Sequence, residues 1–192
     1  MTITDKILVE AIKTGNQSAF RELVETHQNL VANTCYGLLQ NASDAEDVTQ
    51  EVFIQVYRSI HKFRGDSKLS TWLYRIATTR SIDLLRKRKR RSRVQSFQTF
   101  FGGEEAALQV ADKYSYSPQQ TLENQERAAV LAKAVAKLPE SQQVAFTLSK
   151  YEDLSYQQIA DVMERSLSSV ESLLFRAKKN LRKHLEEYYR NH

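Results

Sequence analysis

From Gln17 to Gln40 the apolar and small residues Phe20, Leu23, Val24, Leu30, Val31, Cys35 and Leu38 recur at helical spacing, with His27 and Thr34 on the same stripe, and the same rhythm runs through most of the chain. That is the period of a helix burying one stripe; a strand buries alternate residues. The chain of 192 residues also holds only five Gly and two Pro, so little interrupts the pattern. An all-α fold is expected.

The punctuation divides these helices into two groups. A short helix over about 5–14 stops at Gly15, and the long one follows. Ser43 with Glu46 has the spacing of a capping box, opening a third helix whose buried side is Ala45, Val48, Val52, Val56 and Ile60. After the loop "KFRGDSKLS", a fourth runs from about Thr71 through Trp72, Leu73, Ile76, Ala77, Leu84 and Leu85 into a run of arginines and lysines. Residues 1–95 thus read as a four-helix unit. Over 96–117 the periodicity lapses around the chain's Gly-Gly pair, which marks a flexible linker, with a short helix over 104–111 as the alternative. Ser117 and Pro118 suit an N-cap and first helical position, and residues 118–192 form the second unit: a helix ending near Leu138 and Pro139, one over 140–150, one from Ser155, boxed by Gln158, to Met163, and a last one in which Ser168 and Glu171 form another box. The expectation is two small helical domains on a tether.

Several function classes are disfavoured. No stretch approaches the roughly 20 apolar residues of a membrane span, and "MTITDKILVE" lacks the basic and apolar regions of a secretion signal, so a cytoplasmic protein without membrane insertion is expected. Cys35 is the only cysteine and the four His are scattered, which offers neither a disulfide framework nor a Cys/His metal site. No Ser/His/Asp or Cys/His arrangement stands out. No cofactor, no metal and no catalytic activity are expected.

Charge is distributed unevenly. Residues 1–95 hold 16 Lys and Arg against 10 Asp and Glu, and seven of the eight residues from Arg86 to Arg93 are cationic. Asp44, Glu46, Asp47 and Glu51 make an acidic patch nearby. Two partners of opposite character are implied. In the second unit, two short helices separated by 164–167 fit a helix-turn-helix, with Ile159, Ala160, Val170 and Leu173 setting the crossing. On its last helix, Val170, Leu173, Leu174 and Ala177 form the buried stripe, Ser168, Ser169 and Ser172 offer small donors, and Arg176, Lys178 and Lys179 supply charge. Cations late in a helix and Ser at its start also suit an ordinary helix, so both readings stand at this level. Glu164 and Arg165 occupy the turn where such motifs usually carry Gly and an apolar residue.

Together the two halves resemble one family. "DAEDVTQEVFIQVYRSIHKFRGDSKLSTWLYRIA", followed by the basic run, is similar to region two of the extracytoplasmic-function sigma factors of bacterial RNA polymerase; "LPESQQVAFTLSKYEDLSYQQIADVMERSLSSVESLLFRAKKNL" is similar to their region four. The resemblance implies that Asp44, Asp47, Gln50 and Glu51 dock on core RNA polymerase. It implies that Phe63, Arg64, Gly65, Asp66, Ser67, Lys68, Leu69, Ser70, Thr71 and Trp72, with Arg75, Thr79 and Arg80, meet and open the minus-ten promoter DNA. Phe63 and Trp72 suit a core equally well. Many members carry Asn at the position of Thr79, which leaves the captured base open. Arg86, Lys87, Arg88, Lys89, Arg90 and Arg91 read as phosphate contacts, which set affinity and salt dependence more than sequence choice. Ser168, Ser169, Ser172, Phe175, Arg176 and Lys179 become candidate readers of the minus-thirty-five element. Glu171 either closes its capping box, the favoured reading, or accepts from a cytosine amino group. An anti-sigma partner is implied by resemblance alone. The rival readings are a stand-alone helix-turn-helix regulator, a metal-dependent nuclease using the acidic helix, and a helical adaptor that binds only protein.

Overall fold

The structure, a computed structural model, describes residues 3–100 and 122–190. All its regular elements are helical: α1 (Ile3–Lys13), α2 (Gln17–Leu39), α3 (Ala42–Ser59), a short 3-10 turn (Ile60–Lys62), α4 (Leu69–Phe100), α5 (Leu122–Ala136), α6 (Glu140–Lys150), α7 (Tyr156–Met163) and α8 (Leu167–Arg190). The expected all-α class holds. α4 continues past Gln95 to Phe100, and the remainder of the expected linker, the alternative helix over 104–111 and the Ser117–Pro118 cap lie outside the described residues.

Local chemistry explains where the first helices begin and end. Gly15 takes a positive φ of 88°, which glycine adopts without a Cβ penalty, and hands the chain to Asn16. The Asn16 side chain then accepts from the Ala19 amide at 3.1 Å and caps α2. At its far end Gln40 turns left-handed at φ 51°; its amide donates to Tyr36 O at 2.8 Å and its side chain to Gly37 O at 2.7 Å. The next residue, Asn41, is extended, and its side chain accepts from the Asp44 amide at 2.9 Å. Asn41 therefore caps α3, and the cap expected at Ser43 is not used. Leaving the left-handed Gln40, the chain meets a capping side chain two positions earlier, and Ser43 is already inside the helix.

Three cores hold the helices together. The first gathers Val9 and Ile12 of α1, Leu23, Val31 and Cys35 of α2, Val48, Val52 and Val56 of α3, and Leu73 and Ala77 of α4. Each fully buried aliphatic side chain there contributes on the order of 1.5–3 kcal/mol. Burial also pushes the Cys35 thiol up, which leaves it a packing residue. A third core joins α5, α6 and α8 through Ala134, Val135, Leu138, Phe146, Ala177 and Leu181.

The second core crosses between the two expected units. Leu38 of α2 and Tyr74 and Ile82 of α4 pack with Val144, Ala145 and Leu148 of α6, Ile159, Ala160 and Val162 of α7, and Val170, Leu173 and Leu174 of α8. Gly37 permits this closeness: a Cβ there would stand 2.6 Å from Thr147 Cγ2. The last carbonyls of α2, which have no partner within their own helix, are taken up across the junction. Gln143 Nε2 donates to Leu38 O at 2.8 Å and Thr147 Oγ1 to Gly37 O at 3.2 Å.

Candidate nucleic-acid interface

Three surfaces carry the residues singled out above. On α3, Asp47, Gln50 and Glu51 are exposed on one side, four and three positions apart. Asp44 begins the same face but is drawn sideways into an ion pair with Arg88 of α4. The exposed apolar residues Ile54 and Tyr57 extend the acidic face, and Tyr57 meets the Phe20 ring edge-on at 5.0 Å. Sequence reasoning passed over both. The available signal was an isoleucine falling outside the buried stripe of Val48, Val52 and Val56.

The second surface is the loop before α4 and the outer side of that helix. Phe63 is buried, and Trp72 packs against the same core with ring centroids 5.0 Å apart, so this pair props the loop from beneath. Gly65 at φ 80° lets the loop fold back, and Arg64 Nε pairs with Asp66 at 3.0 Å. Lys68 is exposed, Ser67, Ser70 and Thr71 half-buried. Ser67 Oγ donates to Lys68 O at 3.3 Å. On the helix, Thr79 Oγ1 donates to Arg75 O at 2.7 Å, which leaves this exposed hydroxyl able to accept but not to donate outward. Arg80 donates to the Gln55 side chain of α3.

The cations of α4 differ in how they are engaged. Lys87, Lys89, Arg90 and Arg91 are exposed. Arg86 donates twice to Glu140 of α6, from Nε at 3.0 Å and Nη2 at 2.7 Å, and its hydrogen bond and charge hold the Glu140 carboxyl below the usual carboxylate range. Arg75 pairs through Nη1 with Glu164 at 2.9 Å and donates through Nη2 to Asp161 O at 2.6 Å. Beside it, Tyr74 Oη donates to Glu152 Oε2 at 2.9 Å. Burial pushes the Glu152 carboxyl up to about 7, with Asp153 adding to the rise and the Tyr74 hydrogen bond opposing it. Burial and the charge of Glu152 push the Tyr74 hydroxyl up as well.

The third surface is the helix pair α7 and α8. The Ser155 box forms as expected: Gln158 N donates to Ser155 Oγ at 3.3 Å and Ser155 N to Gln158 Oε1 at 2.9 Å. Glu164 ends α7 in the left-handed region at φ 52°, the conformation for which Gly is the usual residue. The expected box between Ser168 and Glu171 is replaced. Ser166 O accepts from Val170 N at 3.1 Å and Ser166 Oγ from Ser169 N at 3.3 Å, so Ser166 is the cap and Ser168 lies in the first turn. The left-handed Glu164 turns the chain early enough for α8 to start at Leu167.

On α8 the inward stripe is Val170, Leu173, Leu174 and Ala177, all buried. Ser168, Ser172, Phe175, Arg176 and Lys179 stand outward, with Ser169 half-buried at their edge. Glu171 joins this outward face. Phe175 is 71% exposed, an unusual setting for a ring on a folded surface, and Arg176 Nε donates back to Ser172 O at 3.1 Å. Chemically, the face combines hydroxyl donors, one apolar ring and two cations, the mixture that base edges, thymine methyls and phosphates call for. Among the described residues no group of three or more His, Cys, Asp or Glu gathers to hold a metal, and no helix is long and apolar enough to cross a membrane.

Both halves of the chain match known proteins. Residues 23–91 match the family described as Sigma-70 region 2, and residues 128–181 that described as Sigma-70, region 4. At 36% identity, 97% of the chain aligns with 96% of the RNA polymerase sigma-H factor of Pseudomonas aeruginosa. At 35% identity, 92% of it aligns with 91% of the ECF RNA polymerase sigma-E factor of Escherichia coli. Among solved structures, CnrH in complex with the cytosolic domain of CnrY matches with a TM-score of 0.67 over 95% of this chain and 97% of that one, at 23% identity. RpoE in complex with the anti-sigma factor NepR from Bartonella quintana matches with 0.60 over 87% and 96%, at 20% identity. At these identities the structural likeness speaks for the fold.

Proposed function

The chain belongs to the sigma-70 family, among its extracytoplasmic-function sigma factors, and from that premise we propose how its surfaces share the work of promoter-directed initiation. As a sigma factor it binds core RNA polymerase and directs transcription from promoters. The observation that carries this is the joint match of both family regions, in order, along one chain. The alternative of a stand-alone helix-turn-helix regulator is not favoured.

In our reading residues 1–95 are the core-binding and minus-ten unit, 96–117 the linker and 118–192 the minus-thirty-five unit. Asp47, Gln50 and Glu51 dock on core polymerase, with Asp44 at the edge and Ile54 adding an apolar anchor. Arg64, Asp66, Ser67, Lys68, Ser70, Thr71, Arg75, Thr79 and Arg80 meet the minus-ten strand, while Phe63 and Trp72 hold that surface in shape. Opening the duplex costs about 1.4 kcal/mol per stacked step, which contacts to the unpaired bases must offset. Arg86, Lys87, Arg88, Lys89, Arg90 and Arg91 hold phosphates; Ser168, Ser169, Ser172, Phe175, Arg176 and Lys179 read the minus-thirty-five element.

The protein supplies recognition and no chemistry of its own; bond formation belongs to the polymerase, and its place of action is the cytoplasm where that enzyme works. An anti-sigma protein as a further partner belongs to the same proposal, in keeping with the NepR-bound RpoE neighbour. A co-sedimentation assay tests the core-binding assignment: D47A/E51A should lower affinity for purified core polymerase by about tenfold or more, an effect of about 1.4 kcal/mol. Unchanged affinity would remove α3 from the interface.

A further inference from the structure

One acid stands among the cations of α8. From Arg165 to Leu185 the chain carries Arg165, Arg176, Lys178, Lys179, Arg182 and Lys183 against Glu171 alone. The ordinary reasons for a glutamate near the start of a helix fail here. The cap is Ser166, whose Oγ accepts from Ser169 N at 3.3 Å, so the box position three residues on is Ser169 and not Glu171. Glu171 lies past the opening turn of a helix that begins at Leu167, beyond the stretch in which an acid gains from the helix dipole. Its neighbours three and four positions away on the helix are Leu167, Ser168, Leu174 and Phe175, so no cation of α8 is spaced to pair with it. Glu171 is nevertheless exposed, and with Ser172, Phe175 and Arg176 it lines one open depression on the outward face.

We propose that Glu171 is a specificity-determining residue for the upstream element, its carboxylate accepting from the amino group of one cytosine in the major groove. The inference deepens the reading of α8 as the helix that reads the minus-thirty-five element, and rests on it. In a helix-turn-helix the outward residues near the start of the second helix meet base edges, and Glu171 is about one turn from that start. An ionised carboxylate has acceptors only, so at a base edge it needs a donor. Cytosine presents its amino group there; adenine sets the N7 acceptor beside its own, and guanine and thymine present acceptors without a donor.

The setting sharpens the choice. Leu167, 43% exposed, and Phe175, 71% exposed, lie one turn before and one turn after Glu171 in the same row. Seated in a groove, these apolar groups exclude water from the carboxylate between them. A satisfied hydrogen bond gains strength in that environment, and an unsatisfied charge becomes costly. Facing an acceptor, the carboxylate is also repelled. Glu171 thus rejects wrong bases as much as it attracts the right one, on a helix whose cations hold DNA of any sequence.

Holoenzyme assembled from purified core polymerase and the full chain would select bound duplexes from a pool of random promoter-length DNA, and the selected DNA would be sequenced. The wild type should enrich cytosine about tenfold at one upstream position. E171A should flatten that position and leave its neighbours unchanged. E171Q, which gains a donor and loses the charge, should admit adenine beside cytosine there. On a duplex selected by the wild type, that cytosine would then be replaced by an analogue that lacks the exocyclic amino group and still faces guanine. The replacement should weaken wild-type binding about tenfold and leave E171A binding unchanged.

An upstream sequence that E171A selects as the wild type does would overturn the proposal, as would equal losses in both proteins on the amino-free base. Removal by E171A of a preference for another base would reject cytosine as the group recognised. S172A/F175A/R176A, all on the exposed side of α8, separates the proposal from the reading beneath it. If that variant changes the selected sequence and E171A does not, Glu171 alone is rejected. If neither does, α8 is not the reading helix and the proposal falls with it.

Discussion

Glu152 links one ionisable group to the relation between the two halves. Its carboxyl is raised to about 7 by burial, with Asp153 adding to the rise, the Tyr74 hydrogen bond opposing it and the buried Cys35 thiol nearby. When the halves part, the group returns towards the ordinary value of about 4.3. A pKa raised by this packing means that contact between the halves is favoured by the proton: the effect is strongest below the ordinary carboxylate range and is lost as pH rises through about 7. Small-angle scattering should therefore record a larger radius of gyration at about pH 8 than at about pH 6, and Glu152→Gln should flatten that dependence near the pH 6 value. The same scale offers a stability test. Leu73 is fully buried in the first core, and Leu73→Ala should cost about 2–5 kcal/mol in denaturant unfolding. Side-chain placement was only partly legible. The aromatic Phe63 suits a base stack and a core alike, and only the folded packing against Trp72 decides that it is buried.

At the scale of single helices, most of the layout could be read in advance because it rests on local physics. The stripe on α2, the bounds of α6 and the capping box of α7 follow from periodicity and short-range hydrogen bonds. The caps of α3 and α8 were misplaced by two positions, to Ser43 and Ser168. In both, a left-handed residue that is not glycine, Gln40 or Glu164, ends the preceding helix and lets an earlier side chain cap the next one. Sequence gives little warning of that conformation in Gln or Glu, since Gly and Asn are its usual carriers. The outward face of α8 makes a separable prediction. In holoenzyme, Arg176→Ala should cost about 1–3 kcal/mol if the guanidinium reads a base, with relaxed choice at one upstream position. An equal loss on all promoters would instead make it a phosphate anchor.

For the whole molecule, the two units were readable and their contact was not. Gln143 and Leu38 lie 105 positions apart, Tyr74 and Glu152 78, and no local pattern pairs residues across such distances. Glu164 drew notice only as an odd turn residue; its role beside Arg75 appears with the tertiary structure. The division of labour also predicts the response to salt. Neutralising two of the exposed cations Lys87, Lys89, Arg90 and Arg91 should flatten the salt dependence of holoenzyme binding to promoter DNA by about one to two in log–log slope. The central claim is that this chain gives core polymerase its promoters. It is tested most directly by run-off transcription with purified core enzyme, with and without the protein, on a pool of random promoter-length DNA, followed by sequencing of the transcript starts. Discrete new starts sharing two spaced upstream elements are the expected result. Core polymerase that neither binds the protein nor gains starts in its presence would contradict it.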